Sequence, residues 1–427
     1  MKVLWLCNTM LPRIAEALGE KAGNKEGWLT GLSEDVLAHA SDNRIKLGVC
    51  FPTQINDGSV RGETGGLSYF GFWEDTANPE RCEEGLERQL TKILEEFAPD
   101  IVHVFGTEYP HTLAMTRCVK DKERLLIGIQ GICTLIAEAY MADLPVKVQK
   151  RYLLRDFLKR DNIVRQQQKF ALRGRHETEA LQNAQHITGR TKWDRDFVEK
   201  TNSGAAYHHM NETLRPEFYG PSWSVAECER YSIFVSQGNY PIKGLHYLLR
   251  AMPDILAAYP AAKVYVAGDV ITRYQTLKDK LKIGSYGKYC LDLIKKYNLE
   301  EKIIFLGKLN SGEMCRQYLK SHVFLSPHAL ENSPNSVGEA MLLGMPVVSS
   351  DAGGVSSMLT DGKEGLLYPC HDIKRLAGAV CAMFDDEKRA VEYGKRAKER
   401  AGITHDPQAN YERLLEIYNG MTEDLQA

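Results

Sequence analysis

The sequence predicts an α/β protein of two domains, and two observations lead to this prediction. Short apolar runs typical of buried strands, such as 101–105, 263–267 and 323–326, alternate with segments of helical spacing. This alternation indicates parallel sheets whose strands are joined by helical crossovers. The length of 427 residues also exceeds the size at which a single hydrophobic core stops growing. We therefore expect two α/β domains in one chain.

Composition and charge exclude several classes of protein. Hydrophobic residues make up 43% of the chain and charged residues 26%, as in ordinary globular proteins. A formal net charge of −2 excludes a globally basic nucleic-acid binder, and no nucleic-acid partner is expected. The ten cysteines form no C-x-x-C pair, which argues against a structural zinc site or a disulfide framework. Free thiols in a reducing cytoplasm are the simplest interpretation.

The N-terminus is interpreted as a first buried strand rather than a signal peptide. Its apolar run over 1–7 is short, Asn8 interrupts it, and no small-residue cleavage site follows. No apolar run elsewhere reaches the roughly 20 residues of a membrane span. A cytoplasmic protein, with a possible peripheral position at the inner face of the membrane, is expected.

The stretch 327–365 contains the residues from which a ligand can be predicted. Glu331 and Glu339 lie eight residues apart, separated by a breaker-rich turn that ends at Ser336. Apolar spacing then predicts a helix that begins near 335 or 336, and Gly344 is expected to end it. The free N–H groups at such a helix start attract an anion. Carboxylates instead accept hydrogen bonds from hydroxyls. A diphosphate with a polyol at each end, as in a nucleotide-sugar, would satisfy all three features.

This stretch resembles the donor-site signature of glycosyltransferase family 4, the retaining sugar-nucleotide transferases that include bacterial polysaccharide and capsule enzymes. The resemblance is strongest over 231–369. It implies GT-B architecture, with two facing Rossmann-like domains and a donor cleft between them. It also implies that Glu331 contacts the donor sugar and Glu339 holds the ribose diol. The backbone that it places at the sugar and phosphate belongs to Asn335, Ser336 and Val337.

The same resemblance extends to the exit of the first strand of the second domain. Lys243 matches the Lys-Gly pair of the family and is expected to bind the donor diphosphate, beside Gly238. The family commonly has an arginine at position 237 or 238, and here those residues are Gln237 and Gly238. In the Gly353-Gly354 loop, Ser357 stands where a glutamate is frequent.

The first domain departs from the family pattern as well. Gly27 matches the second glycine of a phosphate-facing loop, but Glu26 stands where the first glycine is usual. Family members often carry histidine at strand exits, where this chain has Phe105 and Gln130. His111 is predicted to be exposed at such an exit and to serve the site, and Gln130 is the other candidate. His103, in mid-strand, is interpreted as a core residue. The polar segment 57–71 is expected to be a mobile loop.

Residues 147–175 hold ten basic and two acidic residues, interleaved with aromatic and aliphatic ones. A basic helix of this kind can lie on an anionic membrane, with a lipid-linked sugar as acceptor. It can equally be a solvated helix with one face in the core. Both interpretations stay open at this point.

The predicted domains are an acceptor domain over 1–226, a nucleotide-sugar domain over 227–403, and a helix over 404–427 that returns to the first domain. The expected function is transfer of a sugar from a nucleotide-sugar donor to an acceptor sugar or lipid-linked sugar, with retention of anomeric configuration, in cell-surface polysaccharide or glycolipid assembly. No metal and no cofactor are expected, since the stretch that carries the site, 231–369, contains no D-x-D signature. A sugar-nucleotide epimerase and a non-catalytic partner subunit are the alternatives.

Overall fold

The computed structural model describes residues 1–20, 27–39, 45–55 and 60–423, which form two compact units. The first unit comprises Met1–Leu135, Lys169–Arg215 and His405–Ala427. The second comprises Ile136–Gln168 and Pro216–Thr404. Each unit is built on its own largely parallel sheet, so the predicted class of two Rossmann-like α/β domains is confirmed.

The first sheet has the strand order β3-β4-β2-β1-β5-β6-β7-β8. Its strands are β1 (Lys2–Cys7), β2 (Lys46–Thr53), β3 (Arg61–Thr64), β4 (Leu67–Trp73), β5 (Ile101–Phe105), β6 (Leu125–Gly128), β7 (His186–Gly189) and β8 (Ala206–His209). All neighbours are parallel except the β3–β4 hairpin. The strand order reverses its direction between β1 and β5, which is the topological switch point of this sheet.

The second sheet has the order β11-β10-β9-β12-β13-β14 and is parallel throughout. Its strands are β9 (Glu229–Val235), β10 (Lys263–Ala267), β11 (Ile303–Gly307), β12 (Ser321–Ser326), β13 (Val347–Asp351) and β14 (Leu366–Pro369). Here the order reverses between β9 and β12. Ligands of open α/β sheets bind at the carboxyl ends of the strands on either side of such a point.

Helices connect these strands. In chain order they are α1 (Pro12–Ala17), α2 (Gly27–Ala38), α3 (Leu86–Phe97), α4 (Pro110–Cys118), α5 (Cys133–Ala139), α6 (Val146–Gln149), α7 (Leu154–Lys159), α8 (Ile163–Gln182), α9 (Lys192–Thr201), α10 (Leu245–Ala258), α11 (Leu277–Lys282), α12 (Ser285–Lys296), α13 (Ser311–Lys320), α14 (Asn335–Leu342), α15 (Val355–Met358), α16 (Ile373–Asp385), α17 (Glu387–Thr404) and α18 (Pro407–Glu423). Short 3₁₀ turns occupy Lys122–Arg124, Pro216–Phe218 and Pro241–Lys243.

The core of the first unit covers both faces of its sheet and includes the C-terminal helix. Trp5 on β1 donates its indole N–H to the hydroxyl of Tyr418 on α18 at 2.9 Å. The same hydroxyl lies 2.8 Å from Nδ1 of His103. His103 is fully buried, and burial lowers its pKa to about 3. The prediction that His103 belongs to the core is confirmed.

The two units divide the chain differently from the predicted boundaries. The second unit begins at Pro216 rather than at 227, and it takes in 136–168, which was expected in the first domain. Nε2 of His246 on α10 lies 2.8 Å from the carbonyl oxygen of Ala142. Contacts of this kind join residues about a hundred positions apart, so local patterns could not show them.

The same inserted segment is held to α12 by polar contacts. The hydroxyl of Ser285 donates to the carbonyl of Arg151 at 3.0 Å and to the buried carboxylate of Asp156. The Arg151 guanidinium in turn pairs with Asp292 at 3.1 Å. The basic stretch 147–175 is therefore no single helix. It is divided among α6, α7 and part of α8, and Arg160, with φ +49°, follows the end of α7.

The predicted mobile loop over 57–71 is wrong for the residues that the structure describes there. From residue 60 onward the chain forms the antiparallel β3–β4 hairpin, with Gly65 and Gly66 at its turn. β4 is almost fully buried and extends the sheet beside β2. Burial of its aromatic residues stabilises this strand, an effect that the polar residues before it conceal in the sequence.

Two glycines bring the loops at the second switch point together. Gly244, with φ +71°, follows the turn after β9, and a Cβ there would lie 1.7 Å from the carbonyl oxygen of Pro327. Gly353, with φ +66°, follows β13, and a Cβ there would lie 2.1 Å from the carbonyl oxygen of Glu331. Both positions need glycine for its positive φ and for the close approach. The loop after β12 is thereby fixed from both sides.

We predict that Gly353→Ala is more destabilising than Gly362→Ala, its matched control. Both residues have a positive φ, but a Cβ at Gly362 has no heavy atom nearer than 4.0 Å. The control should lose about 1–2 kcal/mol of unfolding free energy through backbone strain alone. Gly353→Ala should lose about 1–3 kcal/mol more, because the loop must move. Urea denaturation measures both; equal losses would contradict the proposed packing constraint.

We also predict that Ser285→Ala loosens the inserted segment. Removal of the hydroxyl leaves the buried Asp156 carboxylate one hydrogen bond short, which should lower the unfolding free energy by about 1–3 kcal/mol. Trypsin should then cleave faster at Lys147 and Lys150. Ser311→Ala is the control, because Ser311 bonds only to the exposed Glu217 by its side chain. Unchanged cleavage in Ser285→Ala would show that this bond does not hold the segment.

Candidate active site

Two loops meet at the switch point of the second sheet. One follows β9 and contains the turn Pro241–Lys243; the other follows β12 and contains Glu331. The amide of Ala329 donates to the carbonyl of Ile242 at 2.7 Å, and the amide of Gly354 donates to the carbonyl of Glu331 at 2.9 Å. The first bond fixes the two loops against each other, and the second fixes the loop after β12 to the loop after β13. The position is the one at which open α/β sheets bind ligands.

Lys243 and Glu331, 88 residues apart in sequence, form an ion pair at this point. Nζ of Lys243 donates to Oε1 of Glu331. Their side chains are 13% and 21% exposed, so the pair is only partly screened by solvent. Burial by itself lowers the pKa of Lys243, but the charge of Glu331 and the nearby Tyr240 outweigh it and raise the pKa above its ordinary value. Lys243 is therefore a cation throughout the physiological range, ready to bind an anionic ligand.

His328 completes this group, although it was not among the predicted site residues. Its Nδ1 lies 2.5 Å from the hydroxyl of Ser326, and its Nε2 lies 3.5 Å from Oε1 of Glu331. Burial lowers the pKa of His328 to about 4, so the ring is neutral at pH 7. The signal that could have identified it is its place two residues beyond the carboxyl end of β12.

α14 begins at Asn335, as predicted, and Gly344 follows its end with φ +72°. The residue before the helix is Pro334, which offers no side-chain acceptor to cap the first N–H groups. The backbone of Asn335 and Ser336 therefore presents the positive end of the helix beside the loop that carries Glu331. Val337, the third backbone candidate, is fully buried.

Glu339 lies one turn inside α14 and is buried. The hydroxyl of Tyr318 donates to the carbonyl of Ser336 at 3.0 Å and lies 3.4 Å from Oε2 of Glu339. The carboxylate is thus held by a core tyrosine rather than in bulk solvent. Gly238, also a predicted site residue, packs closely under α10: a Cβ there would lie 2.9 Å from Cδ2 of Leu245.

The remaining candidates belong to the first unit. The prediction that His111 is exposed is wrong: the ring is fully buried. Its Nδ1 lies 2.7 Å from Oε2 of Glu74, and its Nε2 lies 2.9 Å from Oδ1 of Asn8. Pro110 is the first residue of α4, where its missing N–H costs no intrahelical hydrogen bond, and His111 follows it. Gly27 is the first residue of α2, whereas Glu26 lies outside the described residues.

Gln130 lies at the exit of β6, in a network with a buried ion pair. Its amide nitrogen donates to Oε1 of Glu212 at 3.0 Å, and its amide oxygen accepts from Arg190 at 3.3 Å. Arg190 and Glu212 themselves form an ion pair. Gln130 is therefore held in place by neighbours of both charges, which restricts the orientation of its side chain.

A polar cluster at the switch point of the first sheet was missed by the sequence reasoning. Asn8 follows β1 and Glu108 follows β5, and the Asn8 amide donates to Glu108 at 3.4 Å. Nearby, Glu177 accepts a 2.6 Å hydrogen bond from Thr107. Burial raises the pKa of Glu177 to about 8, so this carboxyl is mostly protonated at pH 7. Asn8 at the end of an apolar run was the available signal.

Within 1–20, 27–39, 45–55 and 60–423, no group of three or more His, Cys, Asp or Glu side chains is arranged to hold a metal ion. Over the same described ranges, no helix combines the length and apolarity needed to cross a bilayer.

The chain is similar to known glycosyltransferases in sequence. Residues 221–400 match the family described as glycosyl transferases group 1. An uncharacterised glycosyltransferase of Methanocaldococcus jannaschii is 31% identical over 149 residues, which are 35% of this chain and 34% of that protein. The phosphatidyl-myo-inositol mannosyltransferase of Mycolicibacterium smegmatis is 27% identical over 172 residues, 40% of each chain. The chain thus spans about a third to two fifths of the length of these relatives.

Solved structures extend the likeness to the whole chain. Sucrose-phosphate synthase from Thermosynechococcus elongatus superimposes with a TM-score of 0.74 at 15% identity, covering 99% of this chain and 100% of that one. At this identity the likeness shows the fold. The matched family lies almost entirely within the second unit, which contains Lys243, Glu331 and Glu339. The chain therefore has the GT-B fold, and its residues 221–400 match the glycosyl transferases group 1 family.

Proposed function

We propose that the protein is a retaining glycosyltransferase that moves a sugar from a nucleotide-sugar donor to an acceptor hydroxyl in the assembly of a surface polysaccharide or glycolipid. The observation that carries this proposal is the Lys243–Glu331 pair at the switch point of the second sheet, beside the N-terminus of α14. A cation, an uncapped helix start and a carboxylate side by side suit a diphosphate joined to a sugar. The match of 221–400 to the group 1 family supports the same reaction class.

Each residue of this site would bind a different part of the donor. Lys243 and the backbone of Asn335 and Ser336 would bind the diphosphate and stabilise the charge that develops on the leaving group. Glu331 would accept hydrogen bonds from sugar hydroxyls, and Glu339 from the ribose diol. His328, neutral at pH 7, would hold the Glu331 carboxylate in place.

The ion pair suggests how the charges of the site are compensated when no donor is bound. Without a donor, Glu331 neutralises Lys243, so neither charge is left uncompensated in a partly buried place. A bound diphosphate would replace Glu331 as the partner of Lys243, and the carboxylate would turn to the sugar. The bond from the anomeric carbon to the leaving phosphate oxygen then breaks as the acceptor oxygen attacks the same face. The leaving oxygen takes the acceptor proton, which accounts for retention without a protein base. No metal is part of this proposal.

Opposite effects of two substitutions on nucleoside diphosphate binding test this assignment. We predict that Lys243→Met weakens binding of the nucleoside diphosphate product, because its cation is lost. Glu331→Gln should bind that product as tightly as wild type or more tightly, because a competing anion is gone. Both variants should lose about 10²–10³ in kcat. Steady-state assays and calorimetry supply the two readouts.

Lys263→Met is the matched control. Nζ of Lys263 lies 3.3 Å from Oε1 of Glu229 in an exposed ion pair, and neither residue belongs to the loops of the site. It should keep wild-type turnover and affinity. Near-wild-type kcat in both Lys243→Met and Glu331→Gln, with intact circular dichroism, would contradict the proposed function. An inverted product anomer, detected by NMR, would contradict the retaining mechanism alone.

We further propose that the acceptor is presented at an anionic membrane surface, through the part of 147–175 that the fold leaves available. The structure reduces the number of basic residues in this segment that are available to a membrane, because several of them already have partners. Arg151 and Arg155 are engaged in ion pairs within the second unit. Lys169 pairs with Glu80 at 3.2 Å, and Arg173 donates to the carbonyl of Glu108 at 2.7 Å. Six cations remain exposed without an ion pair among the described residues. Arg165 and Arg175 lie on α8, and the other four, Lys147, Lys150, Lys159 and Arg160, lie in or directly after α6 and α7.

Apolar side chains among these cations favour a lipid surface over a simply solvated helix. Phe157 and Leu158 on α7 are 62% and 70% exposed, and Leu277 on α11, which packs against α7, is 79% exposed. Val146, Tyr152, Leu154 and Leu281 are exposed nearby. An isologous contact with a second copy would bring these like charges together, which disfavours dimerisation through this face. Apolar residues ringed by lysines instead suit the interface of an anionic bilayer.

We predict that the protein sediments with phosphatidylglycerol-containing vesicles and not with pure phosphatidylcholine ones. Charge reversal of the four cations, Lys147, Lys150, Lys159 and Arg160, to Glu should abolish this, because each basic residue contributes about 1 kcal/mol near such a surface. Lys374→Glu/Lys388→Glu/Lys395→Glu, on α16 and α17, is the control for charge and should still sediment. Binding that ignores lipid charge, or that survives the fourfold reversal, would contradict the membrane proposal.

A further inference from the structure

A cavity of about 710 Å³ lies within the second unit, beside the candidate site. Its floor is formed by 239–241 after β9 and 269–273 after β10, at the carboxyl edge of the sheet. Its walls are α11, the start of α12, and the inserted segment 155–166. A volume of this order is in the range of small-molecule sites and accommodates a mono- or disaccharide derivative.

The walls of the cavity are held in place by close contacts. Gly287, in the first turn of α12, packs on the loop after β10: a Cβ there would lie 2.2 Å from the carbonyl oxygen of Ile271. The hydroxyl of Ser285 bonds to the buried Asp156 carboxylate of the inserted segment. The cavity is therefore preformed, and it exists in this fold only because 136–168 packs on the second unit.

Charges around the cavity are unbalanced once existing ion pairs are counted. Among the acidic residues of the lining, Asp156 and Asp161 share the guanidinium of Arg155, and Asp269 pairs with Lys308. Asp279 accepts the backbone N–H of Thr276 at the start of α11 but forms no ion pair among the described residues. Arg273, Lys278 and Lys282 also line the cavity, and none of them forms an ion pair among the described residues. With Lys308 counted, five cations stand against four carboxylates, a net charge of +1, and the three unpaired cations are the part of the lining that favours an anion.

A polar group without a partner also lines the cavity. The side-chain oxygen of Asn239 is buried and accepts no hydrogen bond from the described residues. Its amide nitrogen lies 3.3 Å from Oδ2 of Asp269. A buried acceptor is costly to leave unpaired, and a ligand hydroxyl would satisfy it. The neighbouring Asp269 carboxylate is a second acceptor for hydroxyls.

We propose that this cavity binds a phosphorylated sugar, with the phosphate at Arg273, Lys278 and Lys282 and hydroxyls at Asn239 and Asp269. Unpaired cations and hydroxyl acceptors in the lining of one cavity match a ligand that carries both an anion and a polyol. Tyr240 lines the cavity, and its ring centroid lies 5.7 Å from Nζ of Lys243. The occupant would therefore lie next to the donor loop while using a different set of charged residues.

Calorimetry with hexose 1-phosphates and 6-phosphates tests the proposal. At least one member of the panel should bind the wild-type protein. Arg273→Glu/Lys278→Glu/Lys282→Glu should weaken that binding by about 100-fold or more, because it reverses all of the phosphate contacts. These side chains are exposed, so the variant should fold. The control Lys374→Glu/Lys388→Glu/Lys395→Glu should bind as wild type does.

One further variant distinguishes the contribution of the sugar to binding from that of the phosphate. A second variant distinguishes binding in this cavity from binding at the donor site. Asn239→Leu should weaken sugar phosphate binding and leave binding of inorganic phosphate unchanged. Lys243→Met should retain sugar phosphate binding, so a failure of the donor assignment would not be mistaken for a failure here. Absence of binding by every sugar phosphate, equal affinity in the triple variant, or inorganic phosphate binding as tightly as the sugar phosphates would overturn the proposal.

Discussion

The close approach of two loops at the β9/β12 switch point is the constraint on which the site depends. A parallel sheet sends the loops after β9 and β12 to the same edge, but it does not determine how near they come. Gly244 does so for these two loops, and Gly353 does the same for the loop after β13 and Glu331, since each glycine allows another backbone to lie where a Cβ would collide. The result is an ion pair between Lys243 and Glu331, residues that belong to different strand connections. The fold thus converts two distant sequence positions into one charged group.

Burial gives this group its chemical character. A surface ion pair contributes little, whereas a partly buried one makes each charge depend on the other. Glu331 keeps Lys243 protonated, and burial keeps the adjacent His328 neutral. A site poised in this way favours exchange of one anion for another at Lys243. The same logic extends to the neighbouring cavity, where three of the four acidic residues form ion pairs and three basic residues do not. Both features lie in the second unit, and the inserted segment 136–168 supplies part of the cavity wall.

Sequence reasoning succeeded where the signal was local. Apolar spacing and helix-start residues predicted β1, β5 and the start of α14. The spacing of eight residues between Glu331 and Glu339 identified the loop that holds Glu331. It failed where distant contacts decide the structure. Segment 136–168 joins the second unit through His246 and Ser285, and β4 is buried although a polar, glycine-rich segment precedes it. His111 was predicted to be exposed, but its ring is buried, with hydrogen-bond contacts to Glu74 and Asn8. His328 and Asn239 owe their importance to burial, which no single-sequence pattern reveals.

The central claim is that Lys243 and the start of α14 bind the diphosphate of a nucleotide-sugar while Glu331 turns to the sugar. A crystal structure of the protein with a bound nucleotide-sugar tests it most directly. The account predicts a diphosphate oxygen within about 3 Å of Nζ of Lys243. It also predicts that the Lys243–Glu331 ion pair is broken and that Glu331 accepts a hydrogen bond from a sugar hydroxyl. A diphosphate bound elsewhere, with the ion pair intact, would contradict it.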